Sequence, residues 1–407
     1  MLGDGVVFPR SYEDRRQGEY SKMGNSGTAL DLFSPLRLRA LELRNRVCVS
    51  PMSQYAATEG LAHDWHLVHL GRFALGGAGL VFTEATAVTR EGRRTHGDLG
   101  LWHDTHIEPL KRIVEFVHAQ GAVAGVQLAH AGRKASERRP WHGETPVDDE
   151  DVALRNEAPW LAVAPTTEPY GPSWPAPRAM TRDDIAATVA AFAAAARRAR
   201  TAGFDVIEVY GAHGFLLHQF YSPLCNTRDD DYGGDFDGRV RLCLEVAAAI
   251  RTEWPAEKAL FFRLSATDWI QGGWTIDDTV RLARLLAARG VDLIDCSSGG
   301  IGGAHPVPRL PIGPAFQADF AAAVKREGGV RSMTVGFVWQ PALAQALIAD
   351  GKVDLVALAR AMLDDPNWAL HAAASLGRDP DYALWKPAFG WWLEKRARVM
   401  RKLGLAD

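Results

Sequence analysis

A repeating alternation of helical and strand-like patterns runs along the chain. Four times, a helical pattern ends at a lone glycine, and a short continuous run of apolar residues follows at once. Glycine just past a helix adopts the left-handed conformation without strain, and a continuous apolar run suits a parallel strand covered on both faces. The pattern therefore predicts repeated helix–strand units, with turns at Gly121, Gly203, Gly290 and Gly351.

Two of the helical patterns also carry a start signal. Thr181 and Thr275 each stand three residues before an aspartate, as in a capping box. After Thr181, apolar residues recur at the spacing of one buried helix face, so we expect a helix over 181–202. The residues of that face are Ile185, Val189, Phe192, Ala196 and Ala199.

Counting the weaker runs, the sequence predicts eight strands with helical stretches between them. They are 46–51, 79–88, 123–130, 205–212, 260–266, 292–298, 333–338 and 354–360. Eight such units in 407 residues indicate an α/β fold, a single (β/α)8 TIM barrel. A doubly wound sheet is the alternative, but the G-x-G-x-x-G turn after a first strand is missing.

Three segments fall outside the repeat. Residues 1–28 are polar and have no apolar run of the secretory kind, so we expect a disordered extension. The barrel is expected to occupy 29–380, with the Pro- and Trp-rich segment 134–180 capping its mouth after the third strand. The tail 381–407 is expected to form an aromatic arm that docks on its own barrel or on a neighbour's. Its aromatic residues are Tyr382, Trp385, Phe389, Trp391 and Trp392.

Composition and charge exclude several classes of protein. The chain is 47% hydrophobic and 23% charged, as in folded globular proteins and unlike disordered ones. The net charge is −3 and the basic residues are scattered, so no nucleic-acid partner is expected. The longest apolar stretches are about half as long as a membrane span requires. Four cysteines without a close C-x-x-C pair suit a reducing compartment, so a cytoplasmic location is expected.

Polar residues collect where the predicted strands end, the edge at which barrel enzymes carry their chemistry. Taken alone, His130 is more often a hydrogen-bonded structural histidine, and Glu84 binds a backbone amide or an arginine as often as a substrate. Arg263 is the one charge in the apolar run FFRLSA, which favours an anionic or strongly accepting ligand beside it. Glycines at the ends of the last two strands, together with Arg360, favour a phosphorylated cofactor or substrate.

Other chemistries receive little support. His63, His66 and His69 recur every third residue, but no matching set of carboxylates and histidines stands elsewhere, so we expect a packed helix and no metal. The sequence contains neither a G-x-S-x-G elbow nor a P-loop, which argues against a serine hydrolase or a nucleotide triphosphatase.

Several long motifs resemble the old yellow enzyme family. They are RNRVCVSPMSQY, HDWHLVHLGRFALGGAGLVFTEATAV, VQLAHAGRKAS and GAHGFLLHQFYSPLCNTRDDDYGGDFDGR, in that order. The ending DPNWALHAAASLG…WKPAFGWWLEK is similar to the xenobiotic reductase and thermophilic-like subgroup. The resemblance runs from about Leu32 to Leu403. It implies an FMN-containing barrel that takes hydride from NADPH or NADH and delivers it to the β-carbon of an activated alkene such as an enone.

The resemblance also implies which residues hold the cofactor. The isoalloxazine would lie against Pro51, Met52, Ser53, Ala85, Gln127 and Arg263. Ser53 stands where this subgroup has a cysteine that tunes the flavin. The phosphate would rest on Gly300, Gly336, Phe337, Ala359 and Arg360. A positive Arg263 near the pyrimidine end would stabilise the anionic reduced ring.

At the substrate end, this sequence departs from the family pattern. The family holds the substrate carbonyl with a histidine and a second histidine or asparagine, whereas here the pair is Tyr210 and His213. The usual proton donor, a tyrosine, is replaced by Phe215. We expect Tyr210, His213 and Tyr55 to be the catalytic residues, and the proton for the α-carbon to come from Tyr210, Tyr55 or water. A tyrosine with a pKa of about 10 stays neutral and can still act as a hydrogen-bond donor or an acid.

Three functions follow from this resemblance. The leading hypothesis is an FMN-dependent ene-reductase with an altered substrate pocket. A flavoenzyme of the same fold that dehydrogenates a cyclic ketone or reduces a nitro compound is the second, and a catalytically weak flavin-binding protein is the third. We also expect a homo-oligomer, dimer or tetramer, because in the resembling subgroup the C-terminal arm crosses to a partner.

Overall fold

Eight parallel strands close into a barrel in the computed structural model, which describes residues 30–303 and 310–405. The barrel strands are β1 Val47–Val49, β2 Leu80–Ala87, β3 Val123–Ala129, β4 Val206–Gly211, β5 Ala259–Ser265, β6 Leu293–Ser297, β7 Arg331–Thr334 and β8 Leu355–Leu358. Strand β1 pairs with both β8 and β2, which closes the sheet. The predicted (β/α)8 barrel and all eight of its strands are confirmed, and the doubly wound alternative is wrong. The predicted extension 1–28 lies outside the described residues.

Helices surround the barrel and alternate with its strands. They are α1 Asp64–Leu75, α2 Ile107–Ala119, α3 Asp149–Arg155, α4 Arg182–Thr201, α5 Leu216–Tyr221, α6 Phe236–Glu253, α7 Ile276–Ala287, α8 Ala318–Gly328, α9 Pro341–Ala349, α10 Arg360–Asp364, α11 Trp368–Ser375 and α12 Pro387–Lys402. Short 3₁₀ helices span Asp104–His106, Gly132–Lys134 and Pro140–His142. Among the described helices, none combines the length and the apolar character that crossing a membrane requires.

The local signals in the sequence act as predicted. The four turn glycines have φ between +70° and +92°, the left-handed region in which glycine is unstrained. Thr181 and Thr275 each form a complete capping box with the aspartate three residues on. Helix α4 buries Ile185, Phe192, Ala196 and Ala199 against the barrel, while Val189 is only half-buried.

The two ends of the barrel differ in chemistry. At the amino ends of the strands, an antiparallel hairpin of Leu36–Leu38 and Leu41–Leu43 packs on inward-facing residues such as Phe82 and Phe261. This apolar contact closes the bottom of the barrel. Buried polar side chains such as Gln127, Arg263 and Ser297 lie instead in the carboxyl halves of their strands, the end at which barrel enzymes carry their chemistry.

The segment 134–180 lies against the loops that follow β1 and β2. Arg139 Nε donates to the carbonyl of Tyr55 at 3.0 Å, and Trp160 Nε1 donates to the carbonyl of Glu91 at 2.9 Å. The segment contains α3 and a small parallel pair, Val163–Ala164 with Arg178–Ala179. Its role as a cap and the domain boundaries stay predictions.

The C-terminal tail is a helix with mixed exposure. Trp385 is 7% exposed, whereas Trp391 and Trp392 on α12 are 41% and 65% exposed. The sequence left open whether the arm docks on its own barrel or on a neighbour's. Trp391 and Trp392 are not buried against their own barrel. The four cysteines are buried and free.

Candidate active site

The predicted site residues lie on or directly after the carboxyl ends of the strands. Pro51, Met52, Ser53 and Tyr55 follow β1 and are half-buried. A register shift in β2 between Phe82 and Ala85 sets Ala85 beside Gln127 of β3. Tyr210 of β4 stands beside Arg263 of β5 in register. The loops after β6, β7 and β8 carry the predicted phosphate-binding residues Gly300, Gly336, Phe337, Ala359 and Arg360.

A layer of charged side chains fills the barrel beneath this end. Arg263 Nε lies 3.0 Å from Asp295 Oδ2, and its Nη1 donates to Ser50 Oγ at 3.4 Å. Gln127 Nε2 donates to Glu208 Oε1 at 2.7 Å. Burial, with the charge of Asp295 adding to it, raises the pKa of Glu208 to about 8. Arg263 therefore has an acidic partner inside the barrel that the sequence analysis did not foresee.

Glu208 and Asp295 are functional candidates that the sequence analysis missed. Each is a single acidic residue within an apolar strand run, which is the same signal that selected Arg263. In the described part of the chain, Glu208 Oε2 and the two carboxylate oxygens of Asp295 form no hydrogen bond of good geometry. Buried polar atoms with open hydrogen-bonding capacity fit a polar ring bound at this end of the barrel.

The ends of β7 and β8 form a cradle of backbone amides. Within residues 30–303 and 310–405, the amides of Gly336, Phe337 and Ala359 donate to no acceptor. Gly336 has φ of +114°, and a Cβ there would lie 2.8 Å from the ring of Phe316. Phe337 also has positive φ, at +51°, and the guanidinium of Arg360 lies 4.9 Å from its ring centre. Free amides beside an arginine fit a phosphate group.

At the substrate end, Tyr210 and His213 bind each other. Tyr210 Oη and His213 Nδ1 are 2.7 Å apart, and His213 Nε2 is hydrogen-bonded to Ser297 Oγ. Gly300 lies directly against this histidine, since a Cβ on Gly300 would come within 2.7 Å of His213 Cα. The backbone of His213, at φ of +54°, is held by a hydrogen bond from its amide to Ser265 Oγ.

The hydrogen bonds beyond Ser297 favour one tautomer of His213. Gln317 Nε2 donates to the carbonyl of Val335 at 2.8 Å, which fixes the side-chain oxygen of Gln317 as the acceptor facing Ser297 and Ser298. When Ser297 donates to this oxygen, at 3.4 Å, it accepts from His213 Nε2, and Nδ1 then accepts from the Tyr210 hydroxyl. Burial holds the pKa of His213 well below its ordinary value, in agreement with a neutral ring.

Tyr55 is oriented by an arginine. Arg94 Nη1 donates to Tyr55 Oη at 3.1 Å, and Glu137 binds the same guanidinium through two hydrogen bonds. Because Arg94 can only donate, the phenol hydrogen of Tyr55 is left free for another acceptor. Burial raises the pKa of Tyr55 to about 12 and that of Tyr210 to about 12, so both stay protonated at neutral pH.

The remaining polar candidates have structural partners. Glu84 Oε2 accepts the amides of Gln54 and Tyr55, at 2.6 and 3.4 Å, which was one of its two expected roles. His130 is buried and accepts the amide of Gly132, and burial lowers its pKa to about 4. His63 caps the start of α1 rather than standing within it. Searched over the described residues, the chain shows no cluster of three or more potential metal ligands.

Comparison with known proteins identifies the family of the chain. Residues 31–379 match the NADH:flavin oxidoreductase / NADH oxidase family. The chain is 42% identical over 364 residues to an NADH:flavin oxidoreductase of Gibberella zeae, covering 85% of this chain and 86% of that one. It is 40% identical over 349 residues to an NADPH dehydrogenase of Geobacillus thermodenitrificans, covering 85% and 94%. The solved structure of morphinone reductase superposes with a TM-score of 0.71 at 25% identity, covering 86% of this chain and 91% of that one. The chain therefore belongs to the NADH:flavin oxidoreductase / NADH oxidase family, as a TIM-barrel oxidoreductase that uses FMN and a reduced nicotinamide donor.

Proposed function

We propose that this oxidoreductase reduces the C=C bond of enone-type activated alkenes, with Tyr210 and His213 as the substrate anchor. The observation that carries the proposal is the hydrogen-bonded Tyr210–His213 pair, set beside the buried Arg263 at the carboxyl end of the barrel. The two phenols, Tyr210 and Tyr55, together with the imidazole of His213 supply hydrogen-bonding groups of the kind that hold a carbonyl oxygen.

The residues present fit FMN at the two places described above. Gln127 and Arg263 would meet the polar edge of the ring, and Pro51, Met52, Ser53 and Ala85 would line its remaining surface. The amides of Gly336, Phe337 and Ala359, with Arg360 and Gly300, would hold the phosphate. When bound, the flavin supplies hydride transfer from the nicotinamide donor to the alkene.

The protein side chains hold the substrate and stabilise the charge that develops on it. Tyr210 donates a hydrogen bond to the carbonyl oxygen, which becomes negative as hydride reaches the β-carbon. To donate to the substrate, the Tyr210 hydroxyl has to break its hydrogen bond to His213 Nδ1. His213 then takes the other tautomer, donates from Nδ1 to the phenol oxygen, and accepts from Ser297. Tyr55, with its hydrogen left free by Arg94, is the second donor facing the site.

This anchor is weaker than one made of two imidazoles. In the structure, both polar groups of the pair are occupied by each other and by Ser297, so binding a carbonyl costs an existing hydrogen bond. Losing one oxyanion donor slows a reaction about 10²–10³-fold. We therefore expect slow but measurable enone reduction and an unaffected first half-reaction.

An anaerobic stopped-flow experiment on the purified holoenzyme measures the two half-reactions, reduction by NADPH and reoxidation by the alkene, separately. NADPH should bleach the visible flavin absorbance, and mixing with cyclohexenone should then restore it. Tyr210→Phe, which keeps the ring and removes the hydroxyl, should be bleached normally and reoxidised at least about tenfold more slowly. Bleaching without reoxidation by any enone would refute the proposed substrate class.

Reduction of nitro compounds is a second candidate, favoured by Phe215. The ring of Phe215 packs against that of Tyr210, with centroids 4.2 Å apart and planes tilted by 32°, and it has no proton to give. A nitro group accepts hydride without protonation at carbon, so this loss matters less. Faster reoxidation by a nitro compound than by cyclohexenone, in the same experiment, would select this second function.

A further inference from the structure

We propose that Lys134 donates the proton to the α-carbon of the reduced enone, taking the role that Phe215 cannot fill. The inference deepens the proposed function and rests on it. Lys134 ends the short 3₁₀ helix Gly132–Lys134, directly after β3. Its Nζ donates to the carbonyl oxygen of His213 at 3.0 Å and lies 5.9 Å from the ring centre of Phe215. The ammonium therefore shares one corner of the site with the anchor and with the residue that replaces the missing donor.

The ammonium of Lys134 is buried and donates to a backbone carbonyl rather than to a carboxylate. The residue is 8% exposed, and in the described part of the chain no carboxylate comes within ion-pair distance of Nζ. One of its three N–H groups donates to His213. Nζ also lies 4.7 Å from the ring centre of Tyr170, within cation–π distance. An unpaired buried charge is costly, and cation–π contact offsets only part of that cost. Because burying the Lys134 ammonium costs folding free energy, its presence here indicates a chemical role rather than a contribution to stability.

The surroundings also make Lys134 a better acid than an ordinary lysine. Burial lowers its pKa to about 7, with the positive charges of Arg94 and Arg133 acting in the same direction and Glu137 and Glu144 against it. Tyr170 and His213, the other titratable groups that face Nζ, add no charge at neutral pH. An acid with a pKa near the working pH combines adequate protonation with a strong tendency to donate.

The proton transfer balances as follows. Hydride from the nicotinamide, carried through the flavin, adds two electrons and one hydrogen at the β-carbon and leaves an enolate whose oxygen Tyr210 holds. The enolate electron pair forms a new C–H bond at the α-carbon as the Nζ–H bond of Lys134 breaks. The enolate becomes the saturated ketone, and Lys134 becomes a neutral amine that regains a proton from water. The net change is one alkene, one NAD(P)H and one proton converted to one saturated ketone and one NAD(P)⁺.

Lys134→Met tests this step, because methionine keeps the length and removes the proton. In anaerobic stopped-flow, NADPH should bleach the variant as fast as wild type. Reoxidation by cyclohexenone should slow about 10²–10⁴-fold, which is the rate enhancement that a positioned general acid typically provides. Reoxidation by benzoquinone, which needs no proton on carbon, should be unchanged. Lys111→Met, at an exposed lysine on α2 paired with Glu115, is the matched control and should behave as wild type.

Two further readouts separate proton donation from binding or folding. The affinity of the oxidised enzyme for cyclohexenone, followed by the flavin spectrum, should change less than about threefold in Lys134→Met, a difference under 0.7 kcal/mol. Adding Phe215→Tyr to the same variant should restore the enone rate to within about tenfold of wild type. The rate of wild type should fall as pH rises through about 7, because the acid loses its proton, whereas the rescued double variant should hold its rate to higher pH.

The outcomes are distinct. Lys134→Met reoxidised by the enone at the wild-type rate, or one impaired only in enone affinity, overturns the role of Lys134 and leaves the proposed function standing. Failure of Phe215→Tyr to rescue a variant that still reacts with benzoquinone also overturns it. A wild-type enzyme that reacts with benzoquinone and with no enone overturns this inference and the proposed function together.

Discussion

At the Tyr210–His213 pair, one tyrosine in place of a histidine changes both the charge and the hydrogen-bond direction of the anchor. An imidazole can carry a positive charge to an oxyanion, whereas the phenol of Tyr210, with its pKa raised by burial, stays neutral. Its proton is directed at His213 in the tautomer that carries the imidazole hydrogen on Nε2, which is the tautomer compatible with donation from Ser297 to Gln317. The anchor therefore depends on Ser297 as much as on the two residues that meet the substrate.

Ser297→Ala should weaken enone binding without slowing flavin reduction. The change leaves His213 Nε2 buried without its partner and removes the donor needed when the tautomer reverses. We expect a loss of about 1–2 kcal/mol, which is about 5- to 30-fold in the dissociation constant of cyclohexenone. Titration of the oxidised holoenzyme, monitored by the flavin spectrum, measures it.

Ser332→Ala is the matched control. Ser332 is a buried serine of β7 whose hydroxyl has no hydrogen-bond partner in the described residues, so its removal should not disturb the anchor. Equal enone affinity in the two alanine variants would show that Ser297 does not support His213.

At the scale of single elements, the turn after β7 requires glycine at position 336 for two reasons, its backbone conformation and the lack of space for a side chain. The backbone at Gly336 has φ of +114°, a conformation that side chains make costly, and the aromatic ring of Phe316 and the amide of Gln317 leave no room for a Cβ. The same turn exposes the free amides assigned to the phosphate. The conformation of this turn is therefore expected to determine how well the amides bind the phosphate of the cofactor.

Gly336→Ala should lose FMN more readily than wild type and melt at a lower temperature. Backbone strain costs about 1–3 kcal/mol, and displacement of Phe316 or Gln317 adds to it. Gly351→Ala is the control, since Gly351 also has positive φ but nothing within 4 Å of an added Cβ. It should lose stability through backbone strain alone and keep wild-type FMN affinity. Ultrafiltration of bound flavin and thermal unfolding report the two quantities, and equal FMN affinities would contradict the assignment of this turn.

At the scale of the whole molecule, the helix α12 presents an exposed aromatic surface. Trp391 and Trp392 stand exposed on α12, with Lys395 Nζ 3.6 Å from the ring centre of Trp391. Large exposed aromatic side chains next to one another are typical of interaction surfaces, and tryptophan is enriched among the residues that dominate binding. A self-association through the C-terminal arm, expected from the sequence, is the proposal that uses them.

The double change Trp391→Ser and Trp392→Ser should lower the molar mass measured by light scattering from that of an oligomer to that of a monomer. The reason is the loss of buried apolar area, at about 25 cal/mol per Å². Trp65→Ser removes a tryptophan that is 54% exposed elsewhere on the surface and should leave the mass unchanged. A wild-type protein of monomer mass would contradict the proposal directly.

Local sequence patterns were sufficient to predict the fold. The turn glycines, the capping boxes and the apolar runs each act over fewer than about ten residues, and the barrel is the closed arrangement that such repeated units favour. Ala85, Gln127 and Arg263 could be assigned to one end of it because strand ends meet there. The motif order supplied the cofactor and the family.

The partners of the polar residues came only from the tertiary structure. Arg263 and Asp295 are 32 positions apart, Tyr55 and Arg94 are 39 apart, and Lys134 and His213 are 79 apart. No periodicity links such pairs, because their contact depends on how neighbouring strands register and how the loops fold over them. The sequence by itself determined the barrel, its family and the end that carries the chemistry. The tertiary structure decided which groups the phenols of Tyr210 and Tyr55 contact and which buried lysine stands beside Phe215, since such contacts depend on proximity in space.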